Sequence, residues 1–228
     1  MTIGLIDDGI GVFSMYYKLK QSFSANYICK ICDGVFPFGK QNYGTLYYVA
    51  SKAIQDLTKL NCDFIVISSV TLSMLLYKKL SYISSVPLYS SEAPVLHASA
   101  YTASGVLVAG DSAVLKRLQE PNVIACAMDE FPLIAEECNE RAIVEYITER
   151  VSEHIGSFDC IALASSSMNM FKHCFSRVCP NAQIFDSLEG VARRIRKKYK
   201  KTAKEESSLT VLNQNNEDIT KKYSVFYE

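Results

Sequence analysis

The amino-acid sequence predicts an α/β fold built on parallel β-sheets. Short apolar runs typical of strands alternate along the 228 residues with longer stretches of helical periodicity, which is the pattern of strand–helix–strand units. Hydrophobic residues make up 49% of the chain and charged residues 21%, a balance that excludes a disordered protein. A chain of this length has room for one large α/β domain or for two small domains that pack together.

The predicted strands are short, apolar and bounded by polar or turn-forming residues. They are Ile3–Asp7, Tyr27–Cys32, Phe64–Ser68, Val86–Tyr89, Val106–Ala109, Val123–Cys126, Cys160–Ala164, Gln183–Phe185 and Leu209–Leu212. Helices are predicted near 11–22, 43–60, 71–80, 111–119, 139–155, 168–177, 187–204 and 216–226. The clearest is the helix near 139–155, in which Ile143, Ile147 and Val151 recur at the spacing of one helix face.

Charge and hydrophobicity exclude several classes of protein. Twenty-four basic residues balance twenty-four acidic ones, so the overall charge indicates neither nucleic acid nor a membrane as a partner. The longest apolar runs fall far short of the roughly 20 residues that a membrane span needs. The N-terminus enters a strand-like run without a basic segment, so no signal peptide is expected. These features predict a cytoplasmic protein.

The eight cysteines are expected to be free thiols in a reducing compartment. Cys29 and Cys32 have a suggestive spacing, but they lie on a predicted strand, where residues three apart point to opposite faces and are separated by about 10 Å. That is too far for a disulfide. Cys174 and Cys179 have the wrong spacing for a zinc knuckle. The prediction is therefore buried, small apolar cysteines and no metal site.

One charged segment stands out near the end of the chain. Eight bases and no acid lie between Arg193 and Lys204, which is compatible with a phosphate or nucleic-acid patch. Ala192, Ile195, Tyr199 and Ala203 form an apolar stripe along the same segment, so we favour a docked helix whose bases form its solvated face. Nucleic acid is therefore not the expected partner.

Motifs at the strand ends resemble the glutamate racemase branch of the aspartate/glutamate racemase family. The first strand ends in Asp7-Asp8-Gly9, matching the aspartate, polar residue and glycine of the family's first motif, and Pro37-Phe38-Gly39 resembles its proline-tyrosine-glycine. The segment Cys62–Thr71 resembles the strand that delivers the first catalytic cysteine, and Leu163–Ser187 aligns without a gap with the second-cysteine motif. The order and spacing of these motifs cover nearly the whole chain.

The resemblance implies two flavodoxin-like parallel-sheet domains of the aspartate/glutamate racemase type with a cleft between them. The first domain is expected to comprise residues 1–92 plus 188–228, and the second residues 93–187. The family works without pyridoxal phosphate or any other cofactor, so none is expected here. A homodimer is an option that the sequence leaves open.

The catalytic positions depart from the family's chemistry. Family racemases use two thiols on opposite faces of the substrate α-carbon, whereas Ser69 and Ser165 occupy those places here, and Ser167 replaces the histidine that assists the second thiol. Asp7, which would assist the first thiol, is retained, and Glu136 or Glu137 matches the family's glutamate in the second domain. The pKa of an unactivated serine hydroxyl lies far above the roughly 8.5 of a thiol, so the fraction ionised near neutral pH falls by several decades. The two-thiol mechanism is therefore absent.

The expected ligand site is altered as well. Asp8 replaces a serine, Val70 an asparagine and Phe38 a tyrosine. The donors that still match the family are Thr71, Ser166 and the backbone of Gly39, and Ser167 also belongs to the expected ligand-binding set. Asp8 either faces the ligand, beside Asp7, or turns outward as a helix N-cap. Glutamate is not expected to bind in either case.

Two functions remain open from the sequence. The first is a racemase-like protein that has lost racemase activity and binds a small carboxylate or other anion among the clustered hydroxyls. The second is an active isomerase or another enzyme that acts on a small amino acid or carbonyl compound through the cleft serines. A hydrolytic serine would need a nearby histidine, and His97 is the candidate.

Overall fold

The computed structural model describes residues 1–118, 120–200 and 206–226. Over these residues, strands form two sheets in which every paired strand runs parallel to its neighbour. The strands are β1 (Thr2–Asp7), β2 (Asn26–Ile31), β3 (Phe64–Ile67), β4 (Leu88–Ser90), β5 (Val106–Gly110), β6 (Val123–Ala127), β7 (Cys160–Ala164), β8 (Gln183–Phe185) and β9 (Ser208–Leu212). The first sheet has the order β4-β3-β1-β2-β9 and the second β6-β5-β7-β8. The prediction of a parallel-sheet α/β fold is confirmed.

Helices connect the strands and cover the faces of both sheets. They are α1 (Gly11–Lys20), α2 (Tyr43–Lys59), α3 (Val70–Ile83), α4 (Val95–Ser99), α5 (Ser112–Leu115), α6 (Phe131–Glu136), α7 (Glu140–Val151), α8 (Ser166–Met170), α9 (Lys172–Val178) and α10 (Leu188–Lys198). Short 3₁₀ segments lie at Asp33–Val35, Phe38–Lys40, Ser152–His154 and Thr220–Phe226. The helix expected from the spacing of Ile143, Ile147 and Val151 is α7, in which all three are fully buried.

Three predicted helices differ from the structure. The stretch 216–226 is not an α-helix: Asp218 Oδ1 accepts from the Thr220 amide, and such local bonds compete with helix formation. Asn216, at the start of this stretch, has a φ of 67°, in the left-handed region, so it cannot form the first residue of a right-handed helix. The stretch predicted at 111–119 shortens to one turn, α5. The helix predicted at 187–204 is α10, and residues 201–204 lie outside the described part of the chain.

The bases of the segment from Arg193 to Lys198 lie on the outer face of α10. Val191, Ala192 and Ile195 are buried against the core, and the charged residues point away from it. Arg194 donates to the Ser90 carbonyl, so part of the positive charge ties α10 to the end of β4. This is the docked-helix interpretation of the segment.

The strand order fixes where a ligand site can lie. β1 lies between β2 and β3, and β5 lies between β6 and β7, so in each sheet the chain leaves the central strand first to one side and later to the other. Such switch points open a crevice beyond the carboxyl ends of the strands. The residues that follow β1, β3, β5 and β7 are therefore the ones placed to line a site.

The core is continuous across both sheets and accounts for most of the cysteines. In the described chain, all eight cysteines are free and Cys138 is the exposed one. Cys29 lies on β2 and Cys32 follows it, both fully buried. No described helix has the length and apolar character needed to cross a membrane.

Candidate functional site

Side chains from the carboxyl ends of both sheets line a single cleft. β1 leads into Asp8, β3 into Ser69, β5 into Asp111 and β7 into Ser165. The lining residues are Asp8, Gly9, Ile10, Gly11, Phe36, Gly39, Ser69, Thr71, Asp111, Pro132, Glu136, Ser165, Ser166 and Ser167. The two sheets therefore share one site, at the switch point of each.

The cleft is narrow in this conformation. Its empty space, including the part open to solvent, is about 320 Å³, but the centre of a water molecule can occupy only about 10 Å³ of it. That is room for roughly one water. A ligand larger than water needs the loops of the two sheets to separate.

The serine hydroxyls already have hydrogen-bond partners. Ser69 is the N-cap of α3, and its Oγ accepts from the Leu72 amide at 3.2 Å. Ser165 Oγ lies 3.1 Å from Ser167 Oγ. Neither Ser69 nor Ser165 has a described carboxylate or imidazole partner that could remove its proton. Both hydroxyls are in the cleft without the activation that a nucleophile or a base needs.

Asp7 lies behind the cleft wall and is fully buried. Its Oδ1 accepts from the Asp8 amide and from Ser166 Oγ, each at 3.0 Å. Burial, together with the negative charge of Asp8, raises the pKa of Asp7 well above its ordinary value. Asp7 therefore retains its proton at pH values at which a solvated aspartate is ionised.

Asp8 faces the cleft and does not cap a helix. Its Oδ2 accepts from the Phe38 amide at 2.5 Å, which joins the loop after β1 to the loop after β2. Helix α1 has Ile10 at its N-cap position, without a side-chain cap. The N-cap alternative for Asp8 is therefore wrong. Burial raises the pKa of Asp8.

Asp111 is the second-sheet counterpart of Asp8. It is 4% exposed, and its Oδ2 accepts from Thr71 Oγ1, a contact that spans the two sheets. Burial raises the pKa of Asp111 from 3.8 to about 6. A Cβ on Gly39 would come within 2.7 Å of Asp111 Cγ, so the close approach of the two loops requires glycine here.

Glu136 closes the cleft from the end of α6. Its Oε1 accepts from the Ile10 amide at 2.7 Å, and a Cβ on Gly9 would clash with the same oxygen. Burial raises the pKa of Glu136. Glu137 is exposed and does not line the cleft. Of the two glutamates that the sequence left open, Glu136 is the one at the site.

The electrostatics of the cleft are those of a carboxyl cluster. Asp8, Asp111 and Glu136 line it, and Asp7 lies directly behind. None of the lining residues is basic. Since each of these carboxyls has a raised pKa, the site favours a proton or another positive charge over a further negative one.

The structure brings most of the expected site residues together. Those that line the cleft are Asp8, Gly39, Ser69, Thr71, Ser165, Ser166 and Ser167. Two others do not: Asp7 is buried behind it, and Phe38 is 1% exposed and contributes its backbone amide. Asp111 was missed by the sequence analysis, although its position directly after β5 was a usable signal.

His97 does not take part in the site. It lies on α4, and its ring packs against Tyr101 and Phe185 with centroid distances of 5.3 and 5.2 Å. It does not line the cleft. Neither Ser69 nor Ser165 is bonded to it. The hydrolytic arrangement considered from the sequence is therefore not formed.

Solved structures that share this fold include amino-acid racemases and their relatives. The glutamate racemase of Campylobacter jejuni subsp. jejuni superposes with a TM-score of 0.83 at 16% identity, covering 99% of this chain and 96% of that one. The Thermus thermophilus glutamate racemase, solved in complex with β-chloro-D-alanine, gives 0.78 at 16% identity over 93% and 87%. The allantoin racemase of Klebsiella pneumoniae gives 0.58 at 12% over 86% of each chain. No protein-family model and no curated protein matches the sequence.

The likeness establishes the fold. It covers nearly the whole of the Campylobacter jejuni enzyme, so this chain has both halves of a racemase fold. The racemase-type fold expected from the strand-end motifs is confirmed.

Proposed function

We propose that this chain is a glutamate-racemase-like protein that does not racemise amino acids and instead binds a small ligand in the cleft. The observation that carries the proposal is that Ser69 and Ser165, which the sequence resemblance aligns with the family's two thiols, line one cleft. Both hydroxyls are held by neutral hydrogen-bond partners. With neither a thiol nor a base acting on these oxygens, the family's two-thiol route to proton abstraction from an α-carbon has no agent.

The charge of the ligand follows from the carboxyl cluster. The sequence analysis predicted a carboxylate or other anion as the ligand, because clustered hydroxyls can donate hydrogen bonds to such a group. Asp8, Asp111 and Glu136 argue against it, since a carboxylate ligand would face three acids and no base. We therefore favour a ligand that presents a protonated amine or neutral hydrogen-bond donors to these oxygens.

Calorimetric titration with two ligands of equal chain length tests this ligand class. We expect pentane-1,5-diamine, a dication, to bind saturably at pH 7.5 and glutarate, a dianion, not to bind. Replacing Asp8 by Asn removes a carboxyl that can carry the negative charge opposite a bound amine, and should weaken the diamine at least about tenfold. The exposed Glu149→Gln variant is the matched control and should leave binding unchanged. Glutarate binding tighter than the diamine would contradict the charge argument.

A second candidate is an enzyme that uses a cleft serine. The contact that favours it is Ser166 Oγ to Asp7 Oδ1 at 3.0 Å, a hydroxyl beside a carboxyl. The raised pKa of Asp7 makes this carboxyl a proton carrier more than a ready base. Turnover of a small carbonyl compound that is lost in both Ser166→Ala and Asp7→Asn would support this candidate over the binding protein.

A further inference from the structure

A cluster of three different metal-binding side chains lies outside the cleft. Glu140, at the start of α7, meets His173 and Cys174, on the first turn of α9, and we call these three residues the Glu–His–Cys cluster. His173 Nε2 lies 3.0 Å from Glu140 Oε1 and 3.4 Å from Cys174 Sγ. All three donor atoms lie within 4.8 Å of one another. One carboxylate, one imidazole and one thiol therefore converge on the same point.

The spacing of these atoms suits a tetrahedral zinc-type ion. With Zn–N near 2.0–2.1 Å and Zn–S near 2.3 Å, adjacent ligand atoms around a tetrahedral ion lie about 3.3–3.6 Å apart. The two shorter separations in the cluster are 3.0 and 3.4 Å. Both are close enough to the coordination distances that small rotations of the side chains would accommodate an ion. Mixed oxygen, nitrogen and sulfur ligands also suit Zn²⁺ better than Mg²⁺ or Ca²⁺.

The exposure of the cluster leaves one coordination position open. The side chains of His173 and Glu140 are 55% and 56% exposed, whereas Cys174 is fully buried beneath them in the hydrophobic core. A metal ion would enter from solvent past the carboxylate and the imidazole and reach the sulfur at the bottom. Three protein ligands and a water molecule would complete its shell.

We propose that the Glu–His–Cys cluster is a binding site for a zinc-type divalent cation. The competing interpretation is a surface ion pair of His173 and Glu140 beside an unrelated packed thiol. Arg177 Nη1 lies 4.0 Å from Glu140 Oε2, so this guanidinium competes with a metal for the carboxylate. The two interpretations differ in what happens when Arg177 is removed.

The position of the site gives it a structural consequence. Glu140 follows four residues after Glu136, which closes the cleft, and α9 follows directly on α8, which carries Ser166 and Ser167. An ion that joins α7 to α9 would fix the two segments that supply the second-sheet wall of the cleft. The site is thus placed to stiffen that wall without contacting a ligand in the cleft.

Titration of the purified full chain with Co²⁺ under reducing conditions tests the proposal. Tetrahedral Co²⁺ bound to a thiolate gives a sulfur-to-cobalt charge-transfer band, and we expect this band to saturate at one ion per chain and to be displaced by Zn²⁺. Cys174→Ser should abolish the band, and His173→Gln or Glu140→Gln should weaken binding at least about 100-fold, since even outer-shell changes cost 10–100-fold. Arg177→Gln should tighten it.

The control is Cys138→Ser, which removes the exposed thiol among the described cysteines and should change nothing. Unaltered thermal unfolding of metal-free Cys174→Ser would show that this variant folds. Three results would each overturn the proposal: no thiolate band, a band that survives Cys174→Ser, or a band that disappears with Cys138. None of them bears on whether the cleft binds a ligand.

Discussion

At the scale of single residues, the chemistry of the cleft depends on which atoms carry protons. A serine at the place of a thiol changes one atom and little volume, but it removes the group whose pKa permits ionisation near neutrality. The cleft carboxyls are affected by burial instead. Burial raises their pKa values, so they hold protons at pH values at which a solvated carboxyl is ionised. Ser69 and Ser165 have no base beside them to take their protons, and burial raises the pKa of Asp7 well above its ordinary value.

Asp111 allows the effect of a raised carboxyl pKa on the free energy of unfolding to be measured. Its pKa rises from 3.8 to about 6 on folding, so between those pH values the unfolded chain has lost a proton that the folded chain still holds. The contribution of Asp111 to the free energy of unfolding is therefore most favourable below about pH 4 and falls by at most about 3 kcal/mol as the pH rises to about 6. Asp111→Asn still accepts a hydrogen bond from Thr71 and carries no charge. It should be more stable than the wild type by about 1–3 kcal/mol at pH 7.5 and similar to it at pH 4.

Urea unfolding at the two pH values measures this difference. The exposed Glu149→Gln variant serves as the control for removal of a negative charge and should match the wild type within about 0.5 kcal/mol at both pH values. A destabilised Asp111→Asn at pH 7.5 would mean that the ionised carboxylate is favoured in the folded protein, and would contradict the description of the cleft as a proton-holding cluster.

At the scale of elements, the sequence predicts the strands better than the contacts that close the cleft. All nine strands were expected close to their observed bounds, because buried parallel strands are short apolar runs that composition reveals directly. The short helices α4 and α6 were not expected, since one or two turns leave too few residues for a periodic pattern. Ser69 and Ser165 could be placed because each lies between a strand and the helix that follows it, and Thr71 lies in the first turn of α3. Glu136 could not be separated from Glu137, because only the docking of α6 against the Ile10 amide distinguishes them.

Gly39 tests whether the loops after β2 and β5 approach as closely as the structure shows, and Gly190 is its control. Gly39→Ala places a methyl group 2.7 Å from Asp111 Cγ, so the loop after β2 or the loop after β5 must move. We expect a cost of about 1–3 kcal/mol, as for other overpacked positions. Gly190 on α10 has no atom within 4 Å of such a methyl group, so Gly190→Ala should stabilise the helix by about 0.5–1 kcal/mol. Denaturant unfolding of both variants gives the comparison, and a neutral Gly39→Ala would show that the two loops are not in contact.

At the scale of the whole molecule, two parallel sheets meet through polar contacts at their carboxyl ends. Ser166 donates to Asp7, Thr71 donates to Asp111, and Glu136 accepts from Ile10, so each contact joins the first sheet's side to the second's. These bonds hold the cleft at the size of about one water molecule. The racemase-type fold is thus present, and its cleft is lined by three carboxyls together with serine and threonine hydroxyls.

The central claim is that this fold has been kept without its proton-transfer chemistry. Incubation of the purified protein with D- or L-glutamate, and separately with aspartate, in deuterated water measures that chemistry directly, because any abstraction at the α-carbon replaces hydrogen by deuterium. NMR or mass spectrometry should detect no α-deuterium above a protein-free blank, since neither Ser69 nor Ser165 has a base to act with. Exchange above the blank that disappears in Ser69→Ala or Ser165→Ala would contradict the claim and make these hydroxyls catalytic.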